Sequence, residues 1–180
     1  MYRFGLAMIL LSLVQAPAQD EMEDNFEYKA WSKQKAGAWV KWSSETNTGA
    51  MKMTSDVTWK LKELTAEKAV VEETTSVNLG GKAPTEHTSL RTVAAKVRKG
   101  TTSDGAKVES SKEGDEEITA KGRAIKCHWV ELKLAGQARG TMKIWRTDEI
   151  VGGAARISMK HDDAAKMTMT MIVTDWKSAD

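Results

Sequence analysis

Three histidines, His87, His128 and His161, are the whole supply of near-neutral proton acceptors in 180 residues, and they lie far apart along the chain. A general base must reach the proton it removes, so this spacing assembles no catalytic group by itself. Cys127 and His128 are neighbours and suggest a thiol beside its base. Consecutive side chains on a strand point to opposite faces, however, which separates the two. Cys127 then belongs with Ile125 and Trp129 as a small apolar residue. His161, Asp162 and Asp163 offer too few placed ligands for a metal ion and suit a turn solvated by polar side chains. Glu72-Glu73 and Asp115-Glu116-Glu117 read as solvated charge rather than paired acids. Gly80-Gly81-Lys82 lacks the spacing of a phosphate-binding loop, and no G-x-S-x-G turn is present. The expectation is a protein that is not an enzyme, with no catalytic residue, no metal ligand and no cofactor.

The apolar residues are more informative. The chain has ten methionines and seven tryptophans against two phenylalanines and two tyrosines. In "AKMTMTMIVTDW", Met167, Met169 and Met171 alternate with Thr168 and Thr170, the period of a half-buried strand. Methionine adapts to differently shaped apolar contacts, and tryptophan adds flat, partly polar walls. Met51, Met53, Val57, Trp59 and Leu61 share one face of another such strand. Met51, Met53, Trp59, Met167, Met169 and Met171 are therefore expected to line a soft apolar trough. The competing reading is that they close a dry core.

These strands need a scaffold, and its limits follow from the ends of the chain. "MYRFGLAMILLSLVQAPAQ" has one basic residue, an apolar run from Phe4 to Val14 and a small-x-small site at Ala16-Pro17-Ala18. That is the pattern of a secretory signal peptide over 1–18, cleaved near Ala18, with a single β-rich domain over 19–180 that is periplasmic or secreted. The apolar run falls short of the roughly 20 residues of a membrane span, so no transmembrane segment is expected. A single cysteine excludes an intrachain disulfide, so the core must hold the fold. The formal charge is +2, one unit of which belongs to Arg3, with both signs interleaved along the chain. No basic patch emerges, and nucleic acid is not an expected partner. Oligomeric state has no signature here.

A short helix is expected over about 23–35, with Asp24 as N-cap and Gly37 as the residue after its end, because acids lead and Lys33 and Lys35 follow. From Gly37 the period becomes two. Strands are expected at Ala38, Met51, Glu67, Thr85, Glu116, Ala124, Arg139, Gly153 and Ala165, separated by turn residues short enough for hairpins. Residues 98–115 are nearly devoid of apolar side chains and are expected to form a polar, mobile loop. The fold class is mainly β: an antiparallel, strongly curved sheet or half-barrel of about eight to nine strands, closed or nearly so, with one short N-terminal helix.

The hairpin "TMKIWRTDEIVGGAARI" is similar to a stretch of the periplasmic lipoprotein-carrier (LolA-like) family, and the layout from about Gly37 to Trp176 resembles it too. The resemblance implies a helix-plugged half-barrel that carries acyl chains, and no individual residue role is carried over. The functional expectation is a non-catalytic exported protein that binds or carries a lipid or other apolar ligand in the cell envelope. The alternative is a structural or protein-interaction module with no small-molecule ligand.

Overall fold

The computed structural model describes residues 21–49, 51–78, 84–102, 105–136, 139–162 and 166–179. The expected leader over 1–18, the Gly80-Gly81 turn and Asp163 lie outside the described residues.

A short strand, β1 (Met22–Asp24), leads into one helix, α1 (Phe26–Ser32). The strands β2 (Trp39–Asn47), β3 (Lys52–Leu64), β4 (Lys68–Asn78), β5 (Thr85–Ala94), β6 (Lys96–Arg98), β7 (Val108–Ala120), β8 (Arg123–Leu134), β9 (Gly140–Arg146), β10 (Ala154–His161) and β11 (Thr168–Lys177) follow. Nine of them form one antiparallel sheet in the order β5-β4-β3-β2-β11-β10-β9-β8-β7, and β1 pairs with β6 as a separate ribbon. The sheet is curved but open, since β5 and β7 stand at its two edges and do not pair with each other. Its curl is visible at the β7–β8 turn, where Lys121 pairs with Asp175 on β11, three strands away in the sheet order.

The helix is shorter than expected, and its cap is one residue later. Asn25 caps it, accepting from the Glu27 amide at 3.0 Å while its own amide group donates to Ala94 O at 2.9 Å. Asp24 instead ends β1, where it pairs with Lys29 and Lys96. The chain leaves the helix at Lys33, and Gly37, at φ +97°, turns it into β2 with its amide donating to Leu61 O.

The later part of the expected loop over 98–115 is strand: β7 begins at Val108 and pairs with β8 along its length. Its polarity has a physical reason. Over Val108–Asp115 β7 is an edge strand with six of eight residues exposed, so neither face selects apolar side chains there, whereas Ile118 and Ala120 further along reach the core. The true connection is the short stretch after Lys99, closed by a bridge between Thr101 and Lys107.

The core gathers at the end of the sheet where β2 begins and β3 ends. Trp31, Val40, Trp42, Leu61, Val71 and Ile125 are fully buried there. Helix α1 seals this end by touching both halves of the curve. On one side Tyr28 donates to Thr65 O at 2.6 Å and Glu27 pairs with Arg91. On the other, Arg146 stacks over Phe26 at 4.2 Å and Lys33 meets Asp148 at 2.6 Å. Gly153 permits this contact, for a Cβ there would stand 2.5 Å from Ala30 Cβ.

Candidate functional site

Directly opposed residues in an antiparallel pair share a face, so the strand register shows which side chains form one surface. Away from the helix, Leu132, Met142, Met159, Met169, Thr46 and Met53 lie opposite one another in one row across β8, β9, β10, β11, β2 and β3. The next row towards the helix is Val130, Ile144, Ile157, Met171, Ser44 and Ser55. Beyond it come Val173, Trp42 and Val57, which belong to the buried core. The face sealed by α1 thus continues through β11 as an apolar surface over β8–β11 with no described helix above it, while on β8 and β9 the next row towards the helix is His128 and Arg146.

Burial falls along this surface. Met171 and Val130 are buried, Met142, Ile144, Ile157, Met159 and Met169 are half-buried, and Met53 is 38% exposed. The reverse face of the same rows carries Lys133, Lys143, Ser158, Lys160, Thr168 and Thr170, so the alternation of apolar and polar faces is clear.

Of the residues expected to line a trough, Met53, Met169 and Met171 fall on this surface. Met167 lies just before β11, half-buried, with its carbonyl accepting from the His161 amide at 2.8 Å. Met51 sits in the β2–β3 turn and is 65% exposed. Trp59 is three rows nearer the helix, against Trp42 with ring centroids 5.1 Å apart and under Arg91 at 4.4 Å. Met142, Met159, Leu132, Ile144, Ile157 and Val130 complete the surface. Their signal was the same alternation, in "TMKIW" and "RISMK", but only the register joins them to Met169.

The titratable groups assemble nothing comparable. Cys127 and His128 do face opposite ways, and burial pushes the Cys127 thiol up to about 11. His128 lies 3.1 Å from Asp115 and 3.5 Å from Glu113, and the hydrogen bond to Asp115 raises its pKa. On the reverse face the Trp145 indole donates to Glu116 at 2.8 Å, which, with Lys143, lowers the Glu116 pKa. Lys143 stacks over Trp129 and Trp145 at 4.1 and 4.4 Å. These are ion pairs and stacked cations on a sheet surface. Among the described residues, no group of three or more His, Cys, Asp or Glu residues is placed to hold a metal ion. No described helix is long and apolar enough to cross a membrane.

No family model and no curated protein match the chain. Solved structures with a similar course include a LolA superfamily protein from Nitrosomonas europaea, 8% identical, covering 86% of this chain and 92% of that one at a TM-score of 0.33. A putative outer membrane lipoprotein-sorting protein domain from Vibrio parahaemolyticus is 8% identical over 84% of this chain and 89% of its own, at 0.35. A DUF1329 family protein from Desulfovibrio piger is 7% identical over 84% and 91%, at 0.29. The LolA-like resemblance carried by the hairpin is thus met again among the solved structures. At these scores the likeness bears no functional weight.

Proposed function

We propose that the chain is a non-catalytic, exported carrier of a lipid or other apolar ligand, held on the open face of the curved sheet. The observation that carries this reading is the apolar surface over β8–β11: two consecutive rows of four side chains, mostly half-buried, continuous with the core along β11 and, among the described residues, without a covering element. An apolar surface of this extent on a soluble protein marks a place where something binds. Methionines at its rim suit chains of varied shape, since a thioether repacks at little cost.

The test uses the chain without residues 1–18. Adding phospholipid vesicles or a fatty acid is expected to change the tryptophan emission, and native mass spectrometry is expected to find bound lipid. Met169→Lys places a charge in the middle of the outer row and is expected to weaken the response at least tenfold, about 1.4 kcal/mol or more, with an unchanged circular dichroism spectrum. An unaltered affinity in that variant would remove the site.

A second reading, a protein-interaction module, is favoured by β5. It is an unpaired edge with Leu90 66% exposed, the kind of strand to which another chain can add. That reading expects no lipid response and a stable complex lost in Leu90→Lys.

A further inference from the structure

The rim of the apolar face carries a concentration of soft donors that a lipid surface does not require. Nearer the helix the same face is built from valine, leucine, tryptophan and isoleucine. At the outer row of β9, β10 and β11 it changes to sulfur: Met142, Met159 and Met169 stand directly opposite one another on three adjacent strands. Opposed Cβ atoms in such pairs are about 4.5–5.5 Å apart, a separation that flexible thioethers span easily.

An imidazole adjoins them. His161 ends β10 two residues beyond Met159, and so shares its face. Its partner on β9 is Gly140, where a Cβ would meet Lys160 O at 2.1 Å, so the directly opposed position carries no side chain. On the other flank Met167 is tied to it by the backbone hydrogen bond from His161 N. The three rows Gly140–His161, Met142–Met159–Met169 and Ile144–Ile157–Met171 contain no carboxylate.

We infer that Met142, Met159, Met169 and His161 form a binding site for a soft monovalent cation, Cu(I), at the open rim of the sheet. Thioether and imidazole donors without carboxylate suit Cu(I) and disfavour calcium and magnesium, which take oxygen ligands. Half-burial of the methionines leaves the ion a path from solvent while their apolar stems exclude competing water. Met167 stands close enough in the chain to replace one of the three sulfurs as the ion enters. The inference is independent of the carrier reading, although it uses part of the same face.

The chain without residues 1–18 would be titrated with Cu(I), kept reduced by ascorbate, in competition with bathocuproine disulfonate. Ag(I) would serve as a redox-inert probe and Zn(II) as a harder control. One Cu(I) per chain is expected, in preference to Zn(II). The double variant Met159→Leu/Met169→Leu keeps the volume and apolar character of the surface while removing two sulfurs. It is expected to hold Cu(I) at least about tenfold more weakly, the lower end of the loss seen when even a supporting group of a metal site is removed. The lipid response of the unsubstituted chain is read separately, without Cu(I), so a chain that answers to lipid but does not retain Cu(I) fails the copper assignment alone, and one that retains Cu(I) without a lipid response fails the carrier reading alone. Two results would overturn the assignment: a native chain that does not retain Cu(I), or a leucine variant that retains it equally well, which would place the ion away from these sulfurs.

Discussion

His128 shows how a single residue on this sheet responds to its neighbours. Asp115 stands opposite it on the edge strand β7, with Nδ1 to Oδ1 at 3.1 Å, and Glu113 lies 3.5 Å from Nε2. Hydrogen bonding to Asp115 is the first cause of its raised pKa; desolvation opposes it as the next largest, and the bond to Glu113 and the two carboxylate charges add to the rise. A folded-state pKa above the unfolded value means that the ion pair's stabilisation is fully present below the unfolded value, about 6.5. It is lost as the pH rises through the folded value. Proton-detected titration of the imidazole should therefore place His128 above the ordinary histidine value. Asp115→Asn should bring it back towards the ordinary value. A titration unmoved by that change would assign the shift to another group. Glu116 has the opposite sign: the Trp145 indole and Lys143 lower its pKa, so what it contributes is present above the unfolded carboxylate value and disappears on acidification.

At the scale of elements, α1 is too short to be stable alone, since isolated helices below about 12–15 residues are marginal in water. It has seven residues and depends on its cap and its contacts. Asn25 is 4% exposed and does two things at once, accepting from Glu27 N and donating to Ala94 O. Asn25→Ala removes a cap, typically about 1 kcal/mol, and with it a hydrogen bond to the carbonyl of the exposed Ala94, about 0.5–1.5 kcal/mol net. A loss of about 1.5–2.5 kcal/mol is expected, read as a lower denaturant midpoint at unchanged slope; a loss below about 0.5 kcal/mol would place it among ordinary surface substitutions. The same residue shows where the sequence was legible and where it was not. Period-two alternation located the nine sheet strands, because half-buried strands record their inner face in residue type. The charge gradient over 20–37 located the helix but not its start, because Asp24 suits a cap or a strand end equally, and only pairing with Lys96 on β6 decides. Only the second part of β7, from Glu116, was read as strand; Val108–Asp115 was read as loop because an edge segment exposed on both faces leaves no apolar record. Met169 and Met171 were legible as a face. Their union with Met142 and Met159 was not, since strand order and register are tertiary facts.

For the whole molecule, the two ends of one sheet differ in how firmly they are held. The end beneath α1 holds fully buried Val40, Trp42, Leu61, Val71 and Ile125, while the opposite end carries Met51 at 65% and Met53 at 38% exposure. Opening free energies follow the density of buried contacts, so amide exchange should be slowest around Val40–Trp42, Leu61 and Ile125 and faster around Asn47, Lys52 and Thr168. A ligand on the apolar face contacts the outer rows directly and the sealed end only through the strands. Binding stabilises what it touches. Saturating lipid is therefore expected to slow exchange in residues 44–49, 51–54, 140–144, 157–162 and 166–171, with little change around Val71 and Ile125. Slowing confined to Thr85–Ala94 would instead place the partner on the open β5 edge and favour the interaction-module reading. Uniform slowing across both ends would mean that the ligand stabilises the fold as a unit, and the open face would lose its claim to be the site.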